Sequence, residues 1–267
     1  MKNKILLLNV LLLAACAAAP KGPKVGEVKN LYNQGMDALQ TENFAEAIHT
    51  FEELERQHPY SGWATRAQMM VVFTHYKAEQ WEEAIVSAER FIRLHPGHKD
   101  LPYVHYLRAM SFYVQLSDIQ RDQGHTRQAL GAFEEIVRRF PESEYARDAK
   151  FKITLCKDHL AAKEMQVGRY YLKQKRFLAA INRFREVIEK YQTSSQTQEA
   201  LYRLTEAYLA LGVKDEAKRA AAILGHNYPD AEWYKKAYNL LTSAKLAPVG
   251  EGKTWSERFK EGVGDLF

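Results

Sequence analysis

The chain has 267 residues, of which 27% are charged and 46% hydrophobic, the balance of a folded chain with a solvated surface. Its formal net charge is +5, and Lys and Arg alternate with Glu instead of forming a basic tract, so a nucleic-acid partner is excluded as a reading. No GxSxG, HExxH, P-loop or GxGxxG pattern supplies the apparatus of an enzyme, a nucleotide site or a zinc site.

Residues 1–15 open with Lys2 and Lys4 and continue in an apolar run, Ile5–Ala15, interrupted by Asn9. A run of 11 residues is too short to span a bilayer and fits the core of a secretory signal. Leu13-Ala14-Ala15-Cys16 resembles the bacterial lipobox, in which the Cys becomes the lipid-modified first residue. The plain alternative is an ordinary cleaved signal with an incidental Cys. Several acyl chains on Cys16 make a stable anchor where one chain binds only marginally. Ala17 stands where an Asp would resemble an inner-membrane retention signal, so the outer membrane is the expected address. The covalent lipid aside, no cofactor and no metal are expected. Removing Lys2 and Lys4 with the leader leaves 36 basic against 33 acidic side chains, a net +3. Residues 16–24, with Pro20, Gly22 and Pro23, read as a lipidated tether. With Cys16 consumed, Cys156 has no partner and reads as a small buried apolar residue.

One pattern then recurs five times, as Phe44–Pro59, Trp81–Pro96, Thr126–Pro141, Phe177–Gln192 and Lys214–Pro229. Each has Ala in the fourth place (Ala47, Ala84, Ala129, Ala180, Ala217). Each has Phe or Ala four residues on (Phe51, Ala88, Phe133, Phe184, Ala221), and four of the five end in Pro. In Trp81–Pro96 the residues Ala84, Ile85, Ala88, Phe91 and Ile92 make one apolar stripe at helical period. Each such helix needs a partner before it: Val28–Gln40 precedes the first and Ala64–Ala78 the second. Gly35 and Gly168 stand twelve residues before Ala47 and Ala180, where a small residue lets two antiparallel helices approach. The Gly, Ala, Phe, Pro spacing resembles the tetratricopeptide repeat, so the expected fold is all-α, a right-handed superhelical solenoid of about five tetratricopeptide-like helix pairs. The alanines are 37, 45, 51 and 37 residues apart, longer than the repeat's usual period of about 34.

The excess lies on either side of the third repeat. Tyr103–Arg121 is expected to be an extended first helix followed by a loop, Asp122–His125. Tyr145–Lys175, with a single Gly and no Pro, reads as one long helix or two in line. Its apolar positions do not keep to one stripe, which suits an element bridging two halves. Residues 25–142 are therefore read as repeats 1–3, and 143–247 as the linking helix, repeats 4–5 and a capping helix, Ala231–Leu246. Trp233, Tyr234, Tyr238 and Leu241 are expected to turn inward from that cap. In the tail, 248–267, Trp255 and Phe259 are spaced for a short amphipathic helix.

The remaining candidates lie on surfaces. His95 and His98 flank a turn but lack further metal ligands, and Glu52-Glu53, Glu82-Glu83 and Glu134-Glu135 recur at equivalent places, as solvated helix faces do. First helices line the concave side of stacked pairs. The inward places are Tyr32, Met36 and Leu39 in repeat 1, Arg66, Met69, Phe73 and Tyr76 in repeat 2, and Met165, Arg169 and Leu172 in repeat 4. The first two groups predict a groove rich in aromatic and Met side chains, with an Arg near one edge, suited to an extended apolar or aromatic peptide. The competing reading packs some of these side chains on neighbouring helices.

Several stretches resemble the BamD family of outer-membrane assembly lipoproteins. They are Arg90-Phe91-Ile92-Arg93-Leu94-His95-Pro96-Gly97-His98, then Tyr103 and Tyr106-Leu107-Arg108, Arg121-Asp122, and Phe140-Pro141 with Ser143-Glu144-Tyr145 and Asp148-Ala149. Lys157-Asp158-His159-Leu160-Ala161 and Val167-Gly168-Arg169-Tyr170-Tyr171 continue the likeness, which runs from about Lys24 to Leu241. The tail beyond Pro248 matches nothing in the family pattern. The resemblance implies a non-enzymatic subunit of the β-barrel assembly machinery, on the periplasmic face of the outer membrane. It implies recognition of unfolded outer-membrane proteins through a targeting segment, in the N-terminal repeats. It also implies docking on a BamA-type barrel subunit through the C-terminal repeats, beside other lipoproteins of the machinery. Asn182-Arg183 matches a family Asn-Arg pair and is assigned to that docking; an exposed Arg in a surface ion pair is the plain alternative. From another class, a periplasmic tetratricopeptide lipoprotein organising the cell envelope or division machinery also fits repeats behind a lipid anchor. Such proteins tend to carry coiled-coil or Gln-rich segments before their repeats, and only a short tether stands here.

Overall fold

The structure, a computed structural model, describes residues 25–246. The leader, the Cys16 lipobox, the tether up to Lys24 and the tail with Trp255 and Phe259 lie outside the described residues. Among the described residues every regular element is an α-helix. In chain order they are α1 (Val25–Gln40), α2 (Phe44–Gln57), α3 (Gly62–Lys77), α4 (Trp81–Leu94), α5 (Leu101–Tyr113) and α6 (Gly124–Arg139). The chain continues with α7 (Glu144–Lys173), α8 (Phe177–Lys190), α9 (Thr197–Ala210), α10 (Lys214–Asn227) and α11 (Glu232–Ser243).

Local chemistry sets the helix ends. Ser61 Oγ accepts the Ala64 N–H at 3.0 Å and Ser143 Oγ accepts the Ala146 N–H at 3.2 Å, satisfying orphan donors of the first turn. The tight connections inside the pairs share one device. Glu42, Glu79, Lys175 and Gly212 each stand two residues before the second helix of a pair, with φ of 59°, 59°, 57° and 77°. A left-handed residue there reverses the chain in three residues.

The pairs close on the predicted residues. A Cβ on Gly35 would lie 2.6 Å from the Phe51 ring, and one on Gly168 would lie 2.4 Å from the Phe184 ring. Ala47, Ala84, Ala129, Ala180 and Ala217 are all fully buried, as are Phe51, Phe133 and Phe184. The contacts divide the chain into two units that meet between Pro96 and Gly97. The first unit holds α1–α4, with a core of Val28, Ala47, Phe51, Leu54, Ala64, Ala67 and Val71. The second holds α5–α11, with Phe133, Phe184 and Tyr234 at the centres of three core clusters.

The grouping differs from the one read in the sequence, which placed the third repeat with the first two. The reason is the long helix α7, a single uninterrupted element of 30 residues. Its first half sends Ala149 and Cys156 into one core with Phe133 and Ile136 of α6. Its second half sends Ala161 and Met165 into the next core with Phe184 of α8. One helix thus serves the third pair and the fourth, which is why its apolar face shifts along its length. Met165, expected on an open concave face, is fully buried in that core.

Two further expectations are corrected. The helix predicted over Tyr103–Arg121 ends at Tyr113, and 114–123 alternate short turns with irregular backbone. Asp118 and Gln123 take over the backbone there: Asp118 Oδ1 accepts the Gln120 N–H, and Gln123 Nε2 donates to the carbonyls of Asp118 and Arg121. In α11 the inward face is Tyr234, Ala237 and Leu241, with Trp233 partly buried beside it; Tyr238 is half-exposed.

Candidate functional site

In the first unit, α1 and α3 lie side by side, and the predicted groove residues are divided between these two helices. Tyr32, Met36 and Leu39 are half-buried and pack against the unit's core. Met69, Phe73 and Tyr76 are half-buried on α3, and Arg66 is exposed. Tyr76 meets Trp81 edge-on at 5.3 Å between ring centroids. Burial pushes the phenols of Tyr32 and Tyr76 above their usual range, and the Arg66 charge pulls Tyr32 partly back.

The organising residue of this face escaped the sequence reading. Trp63, one turn before Arg66, lies 5.0 Å from the Tyr32 ring, and the Arg66 guanidinium sits 4.9 Å from the Trp63 ring centre. Tyr32 also leans on Phe51 at 5.6 Å. The chain Phe51–Tyr32–Trp63–Arg66 therefore runs from the core to an exposed cation. A signal is present in the sequence: Trp63, Arg66 and Met70 stand three and seven residues apart, at helical spacing.

In the second unit, Asn182 is exposed on α8 and Arg183 is half-exposed. Arg183 Nη1 pairs with Glu164 Oε2 of α7 at 3.0 Å and approaches Glu186 at 3.9 Å. The guanidinium is thus positioned by two carboxylates with part of its fork left towards solvent. Arg169, the other polar member of the repeat 4 set, pairs with Glu199 at 3.1 Å, and Leu172 packs on the core.

The side chains of chemically versatile type are held in structural contacts. His95 hydrogen-bonds Gln68, whose amide donates to Glu55 at 2.7 Å; Glu55 also accepts from Arg90. Among the described residues no three His, Cys, Asp or Glu side chains are placed to hold a metal ion. Burial pushes the Cys156 thiol up to about 11, so it stays protonated and unreactive. Glu135 is not the solvated carboxylate its repeat position predicted: it accepts from Arg108 at 2.8 Å and Arg139 at 2.9 Å. None of the described helices is long and apolar enough to cross a membrane.

Comparison with known proteins is consistent across most of the chain. The family model described as "YfiO: Outer membrane lipoprotein" matches residues 25–224. A protein of Caulobacter vibrioides named "Outer membrane protein assembly factor BamD" is 47% identical over 90% of this chain and 80% of its own. One of the same name from Rickettsia prowazekii is 43% identical over 81% of this chain and 86% of its own. Among solved structures, the TPR2AB domain of yeast Sti1 superposes with a TM-score of 0.43 at 11% identity, covering 83% of this chain and 86% of that one. The segment matched by the family model runs from α1 into α10 and includes the Gly–Phe closures and the long helix α7, and the chain belongs to the BamD family of outer-membrane protein assembly factors.

Proposed function

We propose that the chain is a non-enzymatic lipoprotein subunit of the outer-membrane β-barrel assembly machinery. It binds the targeting segment of an unfolded outer-membrane protein on the α1–α3 face. It docks on a BamA-type barrel subunit through 143–247, with Asn182 and Arg183 at that contact. The lipid on Cys16 holds it to the periplasmic face of the outer membrane, beside the other lipoproteins of the machinery.

The observation that carries the binding reading is the Tyr32–Trp63–Arg66 stack, with half-exposed Met69 and Phe73 on the same helix as Trp63 and Arg66. Rigid aromatic faces and an adaptable thioether offer contact area to an extended apolar peptide at little entropic cost, and the exposed guanidinium suits a carboxylate. A fluorescent peptide copied from the C-terminal strand of an outer-membrane protein, titrated with the purified chain, tests it. Trp63→Ala and Phe73→Ala are each expected to weaken binding about tenfold, or about 1.4 kcal/mol. Unchanged affinity in variants that keep their helical circular dichroism overturns the assignment. For the docking contact, Arg183→Glu is expected to abolish co-purification of the barrel subunit from detergent-solubilised outer membranes. Recovery of division or peptidoglycan proteins in place of a barrel subunit supports the envelope-organising alternative.

A further inference from the structure

We infer that the edge of the second unit formed by the α7–α8 and α9–α10 turns rests on an anionic lipid surface. Lys173, Lys175 and Arg176 meet the headgroups there, and Leu178 and Val213 dip below them. The inference needs neither the peptide-binding nor the docking reading; it takes from the proposed function only the outer membrane as the source of the lipid.

The two turns lie at one edge. Tyr171 and Leu172 of α7 pack on a single core with Ala180 of α8 and with Ala207 and Tyr208 of α9. The end of α7, the start of α8 and the end of α9 are thereby brought together. Tyr170 is 60% exposed and Leu178 70%, and Leu211 and Val213 of the second turn are exposed as well. Lys173, Lys175 and Arg176 are exposed, and none of the three forms an ion pair among the described residues. The second turn adds apolar surface and little charge, because Asp215 stands beside Lys214.

Folding does not ask for these side chains. In the first two pairs the left-handed place of the turn is held by Glu42 and Glu79; here it is held by Lys175. The first turns of α2 and α4 carry Glu46 and Glu82-Glu83, which suit a helix N-terminus, and Asn43 caps α2 by accepting the Glu46 N–H. By contrast, α8 has no acid in its first turn, and Arg176 at its N-cap makes no capping hydrogen bond. Lys175 and Arg176 therefore set two cations against the positive end of the α8 dipole, an arrangement that weakens the helix. Leu178 holds the second place of its repeat, where the others carry Ala45, Glu82, Arg127 and Asp215. A local cost with no local return points to something outside the chain.

Cations beside protruding apolar side chains match the boundary of an anionic bilayer, where lysine stems lie along the acyl region and their ammonium groups reach the phosphates. An acidic peptide fits less well, because so open a Leu178 offers it one wall only. Three cations do not hold a chain of this size at a membrane against salt; they decide which end of the second unit faces it.

The test uses the chain from residue 16 onward with Cys16→Ser, so that no acyl chain does the binding. At low salt it is expected to sediment with vesicles of phosphatidylethanolamine and phosphatidylglycerol, and not with vesicles of phosphatidylcholine alone. Lys173→Gln, Lys175→Gln and Arg176→Gln combined are expected to weaken that binding at least about tenfold. Leu178→Cys carrying a polarity-sensitive dye locates the contact, since buried Cys156 does not compete for the label. The dye is expected to brighten and shift to the blue on the anionic vesicles. The same dye on Phe151→Cys, an exposed site in the first half of α7, is expected not to respond. No binding, equal binding to both kinds of vesicle, unchanged binding by the triple variant, or a response at 151 equal to that at 178 overturns the inference. A response at 178 to another subunit of the machinery, and not to vesicles, gives the edge to a protein and overturns it too. Recovery of the native chain in inner-membrane fractions rejects the proposed address, while the vesicle result still decides the edge.

Discussion

His105 is the most perturbed imidazole among the described residues, and geometry explains why. Its side chain is 1% exposed, with Nε2 3.3 Å from Arg139 Nη1 and Nδ1 3.7 Å from Glu135. Burial holds its pKa down to about 4; Glu135 opposes the shift, while Arg108 and Arg139 add to it. The folded state therefore keeps His105 neutral. The unfolded chain takes up that proton near the ordinary value of 6.5, so stability from this group is fully present above 6.5 and is lost as pH falls from there towards 4. The slope is at most about 1.4 kcal/mol per pH unit. Glu135 behaves differently: burial would raise it, but hydrogen bonds from Arg139 and Arg108 together with the nearby charges lower it on balance. Its own contribution is lost only below the usual carboxylate range. Urea unfolding of the parent is expected to show a clear loss of stability between about pH 7 and pH 5, and His105→Gln is expected to flatten most of it. A parent slope that survives the substitution assigns the titration to another group.

At the scale of the helix pair, two glycines make opposite predictions. Gly168 faces the Phe184 ring so closely that an added Cβ would lie 2.4 Å away, whereas Gly131 in α6 has nothing within 4 Å. Gly131→Ala is expected to stabilise by up to about 1 kcal/mol through helix propensity alone. Gly168→Ala gains the same propensity but must push a fully buried ring, which costs about 1–3 kcal/mol, so a net loss in thermal midpoint is expected. Adding Phe184→Leu to Gly168→Ala should recover part of it; a Gly168→Ala chain as stable as its parent removes close approach as the reason for that glycine. This closure was legible because Gly, Ala and Phe stand at fixed intervals, and α2 and α4 begin where the recurring stretches begin, at Phe44 and Trp81, and end before their closing prolines. The overlong first helix of the third pair was not avoidable by periodicity. YVHYLRAMSFYVQL is apolar enough to continue, and the irregular backbone that follows Tyr113 is held by side chains, Asp118 Oδ1 accepting the Gln120 N–H and Gln123 Nε2 donating to the Asp118 carbonyl. Nor could a stripe distinguish Met165, buried between α7 and α8, from Met69, half-exposed on α3. Both lie at inward places, and only the neighbour that arrives in space decides.

At the scale of the whole chain, the question is how a molecule of mixed, mildly basic surface stays at a membrane. None of the described helices is long and apolar enough to cross one. Without Lys2 and Lys4 the net charge would be only +3, so attraction to anionic lipid would be weak and screened at physiological salt. The docking proposed through the second unit would hold the chain only while its partner is present. The lipid proposed on Cys16, in the lipobox-like stretch Leu13–Cys16, would anchor the chain by itself, because several acyl chains would add about 0.8 kcal/mol for each buried methylene. The expected outcome is that the native chain stays in the membrane pellet through washes with high salt and with alkaline carbonate, even from cells depleted of the barrel subunit. Cys16→Ser should abolish labelling with radioactive palmitate and prevent the lipid-dependent maturation of the precursor. With the leader replaced by an ordinary cleavable signal, the same variant should move to the soluble periplasmic fraction. Release of the native chain by high salt alone would place its attachment in surface charge or in the docked partner, and leave Cys16 without the role assigned to it.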